Sequence, residues 1–134
     1  MCLLDEVIDW APEHIRCRST THRSPTNPLR ANGRLGIATG IEYAAQAMAV
    51  HGALRAGSAG TALRPGLLAS TRGVQLGAAR LDDLTDDLIA VATYVNGDAA
   101  MVLYDFTVSA GARVLLRGRA TIAFASPGAA PGAA

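Results

Sequence analysis

The side chains best suited to acid/base chemistry are His22 and Glu42, which lie in the stretch T-H-R-S-P-T-N-P-L-R-A-N-G-R-L-G-I-A-T-G-I-E-Y-A-A-Q over positions 21–46. An imidazole titrates near neutrality and takes up a proton readily. A carboxyl group among Ile41, Ala44 and Ala45 is costly to bury unless it has a partner or a task. The two together fit a general base and a general acid. Gln46 follows Glu42 by one helical turn, about 40° round the axis, and is placed to orient that carboxylate or to bond buried backbone. Backbone N–H groups near Gly36 or Gly40 suit polarisation of a substrate carbonyl, because glycine permits close approach and a helix start offers free donors. His51 falls about 180° round the same helix from Glu42 and so does not partner it. His51 and His14 read as structural or exposed, and Tyr43 and Trp10 as core or interface residues.

The elements that must position these groups follow from periodicity. Residues 3–9 and 14–21 read as strands divided by the Ala11-Pro12-Glu13 turn. In the second strand Ile15, Cys17 and Ser19 alternate with His14, Arg16 and Arg18, and His22 continues the polar parity. Positions 23–36, rich in Pro, Asn and Gly, read as a long loop without an apolar period, and such loops are often functional. A helix is expected to begin between 37 and 41 and to run to about residue 55, with Ile41, Ala44, Ala45, Met48 and Gly52 on one stripe. Nearly every other position is small, so the helix is thin and suits burial by a curved sheet.

A connector over 57–66 then leads into strands at 67–76, 88–95 and 99–108. Asn96-Gly97 signals a type I′ hairpin, and Ser109-Ala110-Gly111 turns the chain again. In the last strand Val114, Leu116, Ala120, Ile122 and Phe124 alternate with Arg113, Arg117, Arg119 and Thr121. The expected class is α+β, a hotdog domain over 1–125 in which an antiparallel sheet wraps around one long central helix. Residues 126–134, S-P-G-A-A-P-G-A-A, have nothing to bury and read as a disordered tail.

Composition bounds the function. At 134 residues the chain has room for one sizeable core. No apolar run is long enough for a membrane span, and the acidic opening residues lack the basic start of a signal peptide, which implies a cytoplasmic protein. Cys2 and Cys17 have no metal-ligand spacing, so no metal is expected. The net charge is +1. No acid falls between Glu13 and Glu42, where Arg16, Arg18, Arg23, Arg30 and Arg34 lie, while Asp82, Asp83, Asp86 and Asp87 crowd together further on. One basic end is therefore expected, suited to steering an acidic carrier or a phosphate-bearing substrate arm. Nucleic acid is not expected, because no aromatic residues interleave these arginines.

The same residues carry a resemblance. His22 with Pro25 and Asn27-Pro28, followed by Ile41-Glu42-Tyr43-Ala44-Ala45-Gln46, resembles the H-F-P-G-N-P and P-G-V-x-x-x-E-x-x-A-Q pattern of the 3-hydroxyacyl-[acyl-carrier-protein] dehydratases. The N-P-L, G-R-L, G-I-E-Y-x-A-Q, L-Y-D-F and S-A-G segments, from Asn27 to Gly111, are similar to short dehydratase-like hotdog proteins. Arg23 replaces the family's Phe, the loop before Glu42 is longer, and Leu35-Gly36 replaces Pro-Gly.

The resemblance implies His22 as the base that removes the α-proton of a 3-hydroxyacyl thioester and Glu42 as the acid that protonates the departing hydroxyl, the two coming from different subunits of a dimer. It implies Gly36, Gly40 and Gln46 at the substrate. The substrate would be carried on the phosphopantetheine of acyl carrier protein or coenzyme A, in fatty-acid or polyketide-type synthesis, with no metal or redox cofactor. Two alternatives stand beside it. One is a hotdog thioesterase in which Glu42 activates water or attacks the carbonyl; the other is a noncatalytic subunit of a hotdog heterodimer, against the homodimer of the simplest case.

Overall fold

The structure, a computed structural model, describes residues 2–60 and 66–124. Its elements run β1 (Glu6–Ala11), β2 (His14–Ser19), a 3₁₀ turn (Thr21–Arg23), a second 3₁₀ turn (Ile37–Thr39), α1 (Gly40–Ala59), β3 (Gly66–Leu76), β4 (Leu88–Gly97), β5 (Met101–Ala110) and β6 (Arg113–Phe124). The strands form one antiparallel sheet in the order β1-β2-β4-β5-β6-β3. The helix packs on β2, β4 and β5. This is the expected hotdog architecture, a sheet curled around one long helix. The expected tail over 126–134 lies outside the described residues.

The helix is thin for a reason visible in its contacts. Gly40, Tyr43, Ala44, Ala47, Met48 and His51 form the buried stripe, one step round from the stripe expected. A Cβ on Gly40 would stand 2.5 Å from Leu116 Cδ2, so glycine there lets the first turn of α1 lie on β6. The helix runs past residue 55, through Gly57, and stops at Gly60, whose φ of 70° forms a left-handed cap that few other residues adopt.

The sheet departs from the sequence reading in several places. On β6 the alternation breaks at a bulge: Val108 pairs with Leu116 and Ser109 with Val114, leaving Leu115 as the extra residue. Leu115 and Leu116 are both buried, and Val114 faces out. Asn96 and Gly97 make no I′ turn, since they stay within β4 and neither has a positive φ. The connection is made instead by Asp98, whose Oδ1 accepts from the N–H groups of Ala100 and Met101 at 2.8 and 3.0 Å. A third departure concerns β1, which begins at Glu6 rather than residue 3, and a fourth β2, which ends at Ser19 rather than residue 21. Strand β3 is an edge, paired only with β6, and its Leu67 and Leu76 are 76% and 54% exposed.

Candidate functional site

His22 reaches the interior because β2 ends early. Thr20 adopts a helical φ, ψ of −112°, −2°, and its N–H and Oγ1 both donate to Asp5 Oδ2 at 2.6 and 2.8 Å. Arg23 N–H then bonds Thr20 O and Ser24 N–H bonds Thr21 O, closing a 3₁₀ turn. The turn cancels the strand parity, and His22 points inward instead of continuing the polar face. It is fully buried.

One imidazole nitrogen has a hydrogen-bond partner and the other, equally buried, has none among the described residues. Nε2 lies 3.1 Å from Leu84 O. A carbonyl only accepts, so Nε2 carries the proton and Nδ1 holds the lone pair. Nδ1 is buried without a hydrogen-bond partner among the described residues. Burial pushes the His22 pKa below its ordinary 6.5, and Arg23 adds to the effect against the opposing pull of the Leu84 and Asp86 backbone. Neutral imidazole with a free lone pair is the form a general base needs.

The residues around His22 are tied by a dense hydrogen-bond network. Arg23 donates to Thr85 O at 2.7 Å and to Asp87 at 2.9 Å, drawing the segment that carries Leu84 O against the turn. Arg30 donates from Nε to Ser24 O, from Nη1 to Gly33 O and from Nη2 to His22 O. Asp82 is almost wholly buried; it accepts from Leu35 N–H at 2.9 Å and pairs with Arg80, which holds its carboxyl well below the usual carboxylate range. The stretch expected to be an irregular loop thus contains ordered turns. Asn32 and Gly33 have φ of 53° and 74°, and Ala31 and Arg34 exchange both backbone bonds across them. This is the type I′ geometry, displaced from Asn96-Gly97 to Asn32-Gly33.

The same contacts correct the expected basic end. Arg18 bridges Glu6 and Asp87, Arg23 bonds Asp87, Arg30 lies 3.8 Å from Asp82, and Arg16 pairs with Asp9. Four of the five arginines in the interval are thus paired, by Glu6 and Asp9 on β1 and by Asp82 and Asp87 of the aspartate cluster.

Glu42 stands on the first turn of α1 with its side chain exposed. No hydrogen bond or ion pair among the described residues joins it to His22 within the chain. Gly36 is exposed and precedes the second 3₁₀ turn, with φ, ψ of −64°, 153°. It is flanked by bonds from Ile37 N–H to Ala79 O and from Leu81 N–H to Leu35 O, which turn its own N–H away from the 79–81 segment. Gly40 has the packing contact with Leu116 described above. Gln46 Oε1 accepts from Leu3 N–H at 2.7 Å, the backbone-bonding arrangement of the two expected.

His51 is buried and structural. Its Nε2 donates to Ala11 O at 2.7 Å, and its Nδ1 accepts from Tyr104 Oη at 2.8 Å. Burial lowers the His51 pKa and pushes that of Tyr104 up to about 12. His14 lies on the surface beside Asp9. Trp10 packs edge-on against His51.

The sequence reading missed Thr21, Asn27 and Arg30. Asn27 Nδ2 donates to Thr21 O at 2.9 Å and to Tyr43 Oη at 3.0 Å, and its Oδ1 accepts from Leu29 N–H. Asn27-Pro28 was the available signal, since Asn before Pro initiates a turn through its side chain.

A six-stranded antiparallel sheet packed against one long helix defines a hotdog-fold protein. The chain belongs to the ApeP-like family, whose model is described as ApeP dehydratase and matches residues 1–130. Among solved structures it is similar to the dehydratase heterocomplex ApeI:P from Xenorhabdus doucetiae, with a TM-score of 0.82 at 23% identity over 93% of this chain and 84% of that one. It is also similar to AziG from S. sahachiroi, with a TM-score of 0.62 at 15% identity over 89% of each chain. A thioesterase from Haemophilus influenzae gives a TM-score of 0.65 at 11% identity, over 90% of this chain and 78% of the other. No curated protein matches the sequence. At these identities the structural likeness carries the fold. No helix among the described residues is long and apolar enough to cross a membrane.

Proposed function

We propose that this protein is a dehydratase of 3-hydroxyacyl thioesters carried on acyl carrier protein or coenzyme A, working in fatty-acid or polyketide-type synthesis. The observation that carries the reading is the fully buried His22, with Nε2 held by the Leu84 carbonyl and Nδ1 without a hydrogen-bond partner among the described residues. In the proposed reaction Nδ1 takes the α-proton, whose acidity comes from the thioester, and the electron pair forms the C2–C3 double bond. The C3–O bond breaks, Glu42 protonates the departing hydroxyl, and a 2-enoyl thioester and water result. Transfer of the proton from imidazolium back to the carboxylate resets the pair. The chemistry requires no metal or redox cofactor.

Glu42 comes from a second hotdog subunit in this reading, related or identical, joined through the exposed edge β3. That accounts for the absence of an intrachain link between the two groups. The Gly36 N–H is the proposed donor to the thioester carbonyl, with Gly40 and Gln46 shaping the entrance of the site.

The test is incubation of the purified protein with a panel of 3-hydroxyacyl and 2-enoyl thioesters, following enoyl absorbance and free thiol together. Reversible hydration without thiol release is expected. Thiol release that survives His22→Ala would favour a thioesterase, the activity of the Haemophilus relative. Silence relieved only by adding a related hotdog subunit would assign the chain to a heterodimer. Silence in every assembly overturns the proposal.

A further inference from the structure

We infer that Tyr43 is a positioning residue for His22, acting through a one-way chain of hydrogen bonds from Asn27 to the Leu3 carbonyl; the inference rests on the dehydratase reading above. The directions follow from which atoms only donate or only accept. The single Thr21 hydroxyl proton faces Leu3 O at 2.8 Å and Ser19 Oγ at 2.9 Å, and either acceptor uses it. Thr21 Oγ1 also lies 2.8 Å from Tyr43 Oη, so it accepts there and Tyr43 donates. Tyr43 Oη in turn accepts from Asn27 Nδ2. The Tyr43 proton therefore runs to Thr21, and the Thr21 proton runs on to Leu3 O, directly or through Ser19 Oγ, which itself donates to Leu3 O. Tyr43 and Asn27 are buried.

The position of the chain in the fold gives it a task beyond packing. Tyr43 immediately follows Glu42 on α1, and Thr21 immediately precedes His22 on its 3₁₀ turn. The second Asn27 proton bonds Thr21 O, so one amide grips the turn by its backbone while the phenol grips it by its side chain. Leu3, at the end of the chain, is also held by Gln46, one helical turn beyond Glu42. The turn that aims the imidazole is thus fixed to the buried face of the first turns of α1. Burial alone would satisfy Tyr43 with one partner; three groups converging on one turn define an orientation.

The test compares Tyr43→Phe with Tyr104→Phe. Each removes one buried phenol hydroxyl, but Tyr104 bonds His51, away from the site. Ring nitrogen NMR of the three histidines reports the His22 tautomer and its titration, and kinetics are run in whichever assembly is active. Tyr43→Phe is expected to lower kcat by about 10- to 100-fold, the usual result of misplacing a reacting group, with KM nearly unchanged. His22 should lose its single Nε2–H tautomer and titrate closer to 6.5. Thr21→Val should behave alike and Thr21→Ser should restore both readouts, while Tyr104→Phe leaves them unmoved. Wild-type kcat and an unchanged His22 spectrum in Tyr43→Phe would overturn the inference, as would an equal effect of Tyr104→Phe. Full activity in His22→Ala sinks the dehydratase reading instead, and the His22 spectrum still decides whether Tyr43 holds the turn.

Discussion

Acidification should destabilise this protein as soon as the pH falls below 6.5, because burial lowers the pKa of two histidines. The pKa values of His22 and His51 are both lowered from 6.5, chiefly by burial. Above 6.5 neither the native nor the unfolded state binds these protons, and their contribution to stability is complete. As the pH falls below 6.5 the unfolded chain takes up protons that the native chain refuses, so stability drops until each lowered native pKa is reached. Linkage sets the slope at about 1.4 kcal/mol per pH unit for each histidine, so two in parallel approach about 2.7 kcal/mol per unit. Asp82 has its pKa lowered from 3.8 and loses its contribution only in more acidic solution, so the windows separate. Urea unfolding at a series of pH values and one protein concentration measures the slope. His51→Gln should halve it while leaving the His22 share. A free energy of unfolding that stays flat from neutrality through the histidine range would refute the argument, since neither imidazole would then be excluded from protonation.

Three further outcomes are expected. Glu42→Gln should retain the thermal midpoint, because the side chain is exposed in the single subunit, while dehydration in the active assembly falls by roughly two to four powers of ten. Gly33→Ala should cost about 1–2 kcal/mol in denaturant unfolding, from backbone strain alone, since φ is +74° and nothing lies within 4 Å of the added Cβ. Asp82→Asn should cost about 1.5–3 kcal/mol, the range for hydrogen bonds to a charged group, through the lost pairing with Arg80 and Leu35 N–H; an unchanged denaturation midpoint would remove Asp82 as a clamp.

What the sequence disclosed, and what it hid, divides by the range of the interaction. The alternation of Ile15, Cys17 and Ser19 predicted the buried face of β2 because a strand's parity is local. The same rule failed three residues later, where Asp5 draws Thr20 out of extended geometry and His22 turns inward. On β6 the period broke at Leu115, because a bulge is set by the partner strand and leaves no mark in composition. Two Asn-Gly pairs competed for one turn type, and only Asn32-Gly33 took it. The acidic side chain of Asp98 stabilised a different turn beside the other pair. The arginine interval looked basic because its compensating acids lie outside it, Glu6 and Asp9 on the preceding strand and Asp82 and Asp87 more than fifty residues along the chain from Arg30, Arg23 and Arg18. Tyr43 was expected in the core or an interface, yet its hydroxyl contacts depend on three separate segments meeting.

The free margin of β3 has a consequence for handling the protein. Alternate residues along its eleven-residue length offer main-chain donors and acceptors on one side, with leucines near both ends, and such a margin recruits extended polypeptides that meet it. Aggregation of the chain expressed alone, cured by co-expression with the subunit that caps this strand, would make solubility itself an assay for the cognate companion.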